Sequence, residues 1–146
     1  MAKFLYKMQN VLDVKLKMED QAKTFFASAM ATLNEEEKKR DLLIERRENY
    51  EEKGRQMREN VLNVDELRWN TRAIENLKEQ IEAQNEVVER AKEAVEIARN
   101  RLQTAIQERK IQDKLKENAF EAFKRELSAA ESKEVDELVS YRHGRK

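Results

Sequence analysis

Side chains that could do catalytic or metal chemistry are few in this sequence. The only histidine, His143, lies in the basic stretch at the end of the chain, with no second ligand or orienting base close to it. Adjacent carboxylates such as Glu35 and Glu36 are common, but on an exposed helix they lack the burial that acid–base catalysis requires. The sequence also has no glycine-rich phosphate loop. It therefore predicts a protein that is not an enzyme, with no catalytic residues, no cofactor and no metal ion.

Recognition of another protein is the chemistry that remains. Basic and acidic residues balance at 30 each, and their signs alternate along the chain, so there is no basic stripe to attract nucleic acid. Trp69 comes two residues after Leu67 and lies off the main apolar stripe. It is either an exposed anchor for a partner protein or a residue that packs across a turn onto Val61 or Val64.

Long helices must position these side chains. The chain is 41% charged and has no proline, two glycines and no cysteine, a composition typical of coiled coils. Counting in sevens along residues 67–105 gives two interleaved sets of core positions, and Gln84 is their polar member. The first set is Ile74, Ile81, Val88, Val95 and Leu102, and the second is Leu77, Gln84, Ala91, Ala98 and Ala105. Such a narrow apolar stripe predicts a long helix that winds around a partner helix.

The preceding segment supplies the partner helix. Asn60 can take the left-handed conformation that ends a helix, and Asn63 with Glu66 fits a helix N-cap. A turn there places four pairs opposite each other: Tyr50 with Ile74, Leu43 with Ile81, Leu33 with Ala91, and Phe4 with Phe120. We predict an all-α fold, a long two-stranded antiparallel coiled-coil hairpin that forms a single domain over residues 1–146. Its parts are a helix 4–60, a turn 60–63, a helix 64–141 and a basic tail 142–146.

The same pairing would also fit an antiparallel dimer of open arms, and only the short turn favours the hairpin. Within the first arm, Gly54 costs the helix about 1 kcal/mol relative to alanine, which predicts a weak spot. After Phe120 the second arm has no predicted partner, but its apolar pattern continues through Phe123, Leu127, Ala130, Leu138 and Tyr141. This overhang is either a surface that binds another protein or a frayed tail.

No segment is suited to cross a membrane. The longest uncharged run, from Thr24 to Asn34, has eleven residues, which is well short of the roughly 20 that a spanning helix needs. We therefore expect a soluble protein that is made in the cytoplasm.

Three stretches together resemble the FliJ family of flagellar export proteins. The first is Phe4-Leu5-Tyr6-Lys7 with Gln9, Leu12 and Lys15. The second runs from Asn63 through Val64, Asp65, Glu66, Leu67, Arg68 and Trp69 to Ile74, Asn76, Leu77 and Ile81. The third is Lys133-Glu134-Val135-Asp136-Glu137. In their order and spacing these stretches extend the resemblance over the whole chain.

The resemblance implies a central-stalk component of the flagellar type III export apparatus, similar to the stalk of rotary ATPases. Its implied partners are the hexameric export ATPase, the cytoplasmic domain of the export gate, and export chaperones. Through the gate the protein would associate peripherally with the cytoplasmic face of the inner membrane at the flagellar base. The alternatives are a coiled-coil chaperone or tether with no ATPase partner, and the equivalent stalk of a virulence-type injectisome.

The resemblance also implies two sets of contact residues. ATPase contact falls on Phe4, Tyr6, Gln9, Leu12, Lys15, Lys133, Glu134 and Asp136. Gate contact falls on Trp69, Ala73, Leu77, Gln80 and Gln84. Ala73 occupies a position where the family has a bulkier residue, so Trp69 is expected to supply the anchor. Leu77 and Gln84 are also core positions of the predicted stripe, and these two roles compete for the same side chains.

Overall fold

The structure is a computed structural model that describes residues 3–60 and 63–144, with side chains described up to residue 140. It contains two helices, α1 (Gln9–Glu59) and α2 (Val64–Gly144). These helices pack against each other in antiparallel directions, and the described residues contain no strand. The predicted fold class, an all-α antiparallel coiled-coil hairpin, is confirmed.

The first helix begins later than the sequence predicts. The predicted start at Phe4 is wrong, because α1 begins at Gln9. The Gln9 N–H donates to the Tyr6 carbonyl at 3.1 Å in a tight turn, and the Leu12 N–H donates to the Met8 carbonyl, also at 3.1 Å. The Phe4 ring packs on aromatic side chains of α2, and this contact holds the segment before the turn outside the helix.

The start of the second helix is capped by a side chain. Asn63 Oδ1 accepts hydrogen bonds from the Asp65 and Glu66 backbone N–H groups, at 3.1 and 3.3 Å. The predicted N-cap is thus confirmed, and it satisfies backbone donors that the start of a helix leaves unpaired. The left-handed conformation predicted for Asn60 is wrong, since no described non-glycine residue has a positive φ. Residues 61 and 62 of the predicted turn lie outside the described residues.

The second helix extends further than predicted. It begins at Val64, as the sequence predicts, but continues to Gly144 rather than ending at residue 141. The basic tail predicted for residues 142–146 is therefore helical through Gly144, since no proline interrupts this end of the chain. The Tyr141 and His143 side chains and the last two residues lie outside what the structure describes.

The chain divides into two compact units, where the sequence predicts one domain. In a helical hairpin each stretch of one helix touches only the stretch facing it, so contacts gather locally. The terminal unit comprises residues 1–21 and 103–146, and the turn unit comprises residues 22–102.

The turn unit has an apolar core drawn from the predicted stripe. Its buried apolar residues are Leu77, Ile81, Val88, Ala91, Val95 and Ala98. In the terminal unit the buried apolar residues are Leu12 and Ala105, and the acidic residue Glu19 is buried as well. The alanines at the second set of core positions carry little side chain, which permits the helices to pack closely.

The helix α1 continues through Gly54, which the sequence predicts to be a weak spot. Gly54 is buried in the turn unit, and a Cβ atom added there would lie 2.6 Å from Oδ1 of Asn70. The glycine therefore provides space for a polar side chain of the opposite helix.

Candidate partner-binding surfaces

An aromatic cluster joins the start of the chain to α2 in the terminal unit. The Phe4 ring packs edge-on against Phe120, with ring centroids 5.1 Å apart, and its centroid lies 5.4 Å from that of Phe123. The predicted pairing of Phe4 with Phe120 is confirmed. Phe123, which the sequence places in an unpartnered overhang, instead has Phe4 as its partner. Much of the Phe4 ring is therefore engaged within the protein.

The other N-terminal residues of the predicted ATPase set differ in their availability. Leu12 is 3% exposed and belongs to the core. Lys15 is half-buried, and its Nζ lies 3.0 Å from a carboxylate oxygen of Glu108 on the opposite helix. Tyr6 is half-buried, and its backbone carbonyl closes the turn before α1. In this set the structure assigns packing to Leu12 and leaves part of the Tyr6 side chain accessible.

Polar side chains join the two helices throughout the terminal unit. Arg109 donates hydrogen bonds to both carboxylate oxygens of the buried Glu19, at 2.7 and 3.3 Å, and to Asp113 at 2.8 Å. These contacts, Glu19 first, hold the pKa of the Arg109 guanidinium above its ordinary value, so its charge is permanent. Further along, Lys116 Nζ donates to Gln9 Oε1 at 2.7 Å.

Sequence reasoning missed this polar network, although its signal was present. Continuing the seven-residue count beyond Ala105 assigns core positions to Arg109, Gln112 and Lys116. The apolar stripe therefore ends at Ala105, and the next three core positions are polar. The sequence shows where Arg109 and Lys116 lie along the helix, but it does not show that Glu19 and Gln9 of α1 are their partners.

The C-terminal residues of the predicted ATPase set are freely accessible. Every side chain from residue 131 to residue 140 is exposed, including Lys133, Glu134 and Asp136. Of the predicted overhang, Leu127 is half-buried and Ala130 and Leu138 are exposed. This part of α2 presents both charged and apolar groups to solvent, without a core of its own.

The predicted gate-contact residues lie along α2 in the turn unit. Trp69 is 70% exposed, and the Arg72 guanidinium lies 6.0 Å from its ring centroid. This exposure is consistent with the anchor interpretation, and Val64 is exposed as well, while Val61 lies outside the described residues. Ala73 is half-buried and Gln80 is exposed. These residues form an accessible stripe beside the core.

Two residues of the same set are used inside the protein. Leu77 is 7% exposed and packs in the core. Gln84 Nε2 donates to the backbone carbonyl of Glu36 at 2.9 Å and to the Glu36 carboxylate at 2.6 Å. Hydrogen bonds from Gln84 and then from Lys39 hold the pKa of the Glu36 carboxyl below its ordinary value. Of the two competing roles that the sequence gives these residues, the structure displays the one in helix packing.

These features define the class of the protein: a two-helix antiparallel coiled coil with accessible residues in both of its units. Neither helix has, among the described residues, a stretch long and apolar enough to cross a lipid bilayer. The same residues contain no group of three or more histidine, cysteine, aspartate or glutamate side chains that could hold a metal ion.

Comparison with known proteins identifies the family. The family model described as "Flagellar FliJ protein" matches residues 4–146, and the chain belongs to this family. Membership makes it a flagellar export-related stalk protein, and the family is a non-enzymatic component of flagellar export. Searches of the curated proteins and of the solved structures give no significant match to the chain.

Proposed function

We propose that this protein is the non-catalytic central stalk that inserts into the hexameric flagellar export ATPase ring and promotes its activity. In this proposal it also contacts the cytoplasmic domain of the export gate and binds export chaperones. It acts at the cytoplasmic face of the inner membrane at the flagellar base, held there through the gate.

The distribution of the predicted contact residues over the two units carries the proposal. The ATPase-contact residues come from opposite ends of the sequence, yet Tyr6 and Lys133 belong to the same compact unit. The gate-contact residues, from Trp69 to Gln84, all belong to the other unit. Two partners can therefore bind to separate units without competing for the same side chains.

Accessibility selects which residues make the contacts. In the terminal unit we assign ATPase contact to Tyr6, Lys133, Glu134 and Asp136, and give Phe4, Gln9, Leu12 and Lys15 the role of shaping the surface. In the turn unit we assign gate contact to Trp69, Ala73 and Gln80, with Leu77 behind them in the core. An exposed tryptophan flanked by polar groups has the composition of a binding hot spot.

ATP hydrolysis by the matching export ATPase tests the proposal. Wild-type protein is expected to stimulate hydrolysis, and the triple variant Lys133→Ala, Glu134→Ala, Asp136→Ala to lose most of the stimulation. Because these side chains are exposed, the variant should keep its helicity in circular dichroism. Tyr6→Ala is expected to give a smaller loss, since its side chain is half-buried.

A matched control separates contact from general charge. The triple variant Lys114→Ala, Glu117→Ala, Glu121→Ala removes the same number of charges of each sign from exposed residues of the same unit. It should stimulate hydrolysis like wild type. If wild-type protein has no effect at saturating concentrations, the stalk proposal is wrong, and a chaperone or tether without an ATPase partner replaces it. Stimulation lost equally in both triple variants would contradict the assigned residues.

A further inference from the structure

Two polar residues interrupt the core of the turn unit, and both donate hydrogen bonds to backbone carbonyls of α1. Asn70 is 6% exposed, and its Nδ2 donates to the Tyr50 carbonyl at 2.9 Å. Gln84 Nε2 donates to the Glu36 carbonyl at 2.9 Å. Seven-residue spacing back from Leu77 places Asn70 in the same set of core positions as Gln84. Each is a side-chain amide in a position that is otherwise apolar or small.

Gly54 makes the first of these contacts possible. The space that its Cβ would fill is occupied by the Asn70 side chain, whose Oδ1 would lie 2.6 Å from that atom. A Cβ atom at position 54 would force the Oδ1 end of the Asn70 side chain to shift, and the Asn70 amide also makes the hydrogen bond to the Tyr50 carbonyl. The glycine and the asparagine therefore fit each other in one alignment of the two helices.

We propose that Asn70 and Gln84 are positioning residues that fix the register and rotation of α2 between them and so keep Trp69 on the outer face. A slip of α2 by one residue would place Asn70 against a residue with a Cβ and would bury an unpaired amide, which is costly. A single polar residue in a coiled-coil core sets register in the same way.

The rotation of the helix follows from the same contacts. Successive side chains on an α-helix are about 100° apart, so an Asn70 that points at α1 directs Trp69 well away from it. Gln80 lies between the two amide contacts in sequence and is exposed. The hydrogen bonds of Asn70 and Gln84 thus fix the orientation of α2 near both ends of the exposed stripe to which we assign gate contact. The consequence for gate binding rests on the proposed function, but the positioning of Trp69 does not.

The fluorescence of Trp69, the only tryptophan, reports this positioning directly. Gly54→Ala removes the space for Asn70, whereas Asn70→Ala removes the amide itself. Melting temperature is a poor readout here, because alanine favours the helix by about as much as the lost hydrogen bond costs. Quenching of Trp69 by acrylamide is therefore the primary measurement, with Asn85→Ala as the control for an exposed amide of the same helix.

Both single variants are expected to reduce the quenching of Trp69, because α2 can then rotate and shield the ring. The double variant Gly54→Ala, Asn70→Ala should behave like Asn70→Ala alone, since the glycine matters only through the asparagine. Gln84→Ala should reduce quenching less, because it acts further from the ring. Quenching that is the same in Gly54→Ala, Asn70→Ala and Asn85→Ala would overturn the proposal.

Binding to the cytoplasmic domain of the export gate provides the second readout. Gly54→Ala and Asn70→Ala are expected to weaken binding about tenfold, a usual size for coupling between neighbouring residues. Asn85→Ala should bind like wild type. If wild-type protein does not bind the gate, the gate assignment fails while the quenching result still decides the positioning. Wild-type affinity in both variants, together with reduced quenching, would overturn the role of the two amides in partner binding.

Discussion

The two units of the molecule join the same pair of helices by different chemistry. In the turn unit the contact is made by apolar core positions such as Val88 and Val95, interrupted by two amides. In the terminal unit it is made largely by charged and amide groups, with Arg109 on Glu19 at its centre. Apolar packing is strong but tolerant of direction, whereas charge-assisted hydrogen bonds are directional and depend on salt and pH.

This difference predicts which unit opens first. Removing apolar surface from water is the main stabilising term in folding, at about 25 cal/mol per Å². An ion pair gains less, because each charged group gives up its hydration to form it. We therefore expect the turn unit to supply most of the stability of the hairpin, and the terminal unit to be the more easily rearranged by a binding partner.

The largest effect is expected from a core truncation in the turn unit. Val88 is 1% exposed, so Val88→Ala should lower the free energy of unfolding by about 2 kcal/mol through lost burial and a cavity. The matched control is Val135→Ala, at an exposed position of the terminal unit, where the change should stay within about 0.5 kcal/mol. Urea unfolding followed by circular dichroism measures both. Equal losses in the two variants would contradict the stability assigned to burial of Val88 in the core of the turn unit.

A smaller effect is expected from the ion pair of the terminal unit. Arg109→Met leaves the buried Glu19 carboxylate without the hydrogen bonds of the guanidinium, so the melting temperature should fall. In the double variant Arg109→Met, Glu19→Gln the loss should be smaller than for Val88→Ala, because the buried carboxylate charge is then removed together with its partner. A double-mutant cycle with Glu19→Gln measures the coupling. The coupling should weaken as salt is added, and purely additive effects would disprove the pairing.

The smallest effect concerns the titration of Glu36 in the turn unit. A carboxyl whose pKa is lowered by folding stabilises the protein above its unfolded pKa, and this contribution is lost as the pH falls through the folded pKa. Gln84 is the leading cause of the lowered pKa of Glu36. Gln84→Ala should therefore raise that pKa towards its ordinary value in an NMR titration and reduce the acid sensitivity of this contribution. Lys39→Ala should raise it less, and an unchanged pKa in both variants would contradict the assignment.

The sequence was sufficient for the architecture because the heptad stripe and the predicted turn indicate the same antiparallel pairing of helices. The spacing of Ile81 and Val88, together with the cap at Asn63, predicts two antiparallel helices and the register that places Phe4 beside Phe120. Helix starts are less predictable, since the contact that keeps Phe4 outside α1 comes from a distant part of the chain. The start of α1 at Gln9 follows from that tertiary contact and from a local turn.

The roles of individual polar residues were the least predictable from the sequence. Helix propensity alone marks Gly54 as unfavourable. The structure shows that the Asn70 side chain fills the space that a side chain at position 54 would need. Arg109 looks like one of many surface charges until its seven-residue spacing is followed to the core and Glu19 is found opposite. In both cases the sequence describes the residue within its own helix, whereas its role depends on a residue of the opposite helix.

The exposed end of α2 has a consequence for how this protein tolerates sequence change. From residue 131 to residue 140 every side chain is exposed, so the folded protein itself places few demands on which residues stand there. Selection for folding should therefore constrain the residues of this stretch only weakly. A saturation-mutagenesis screen for motility would then record there the demands of a binding partner alone, and positions that resist substitution would outline its footprint.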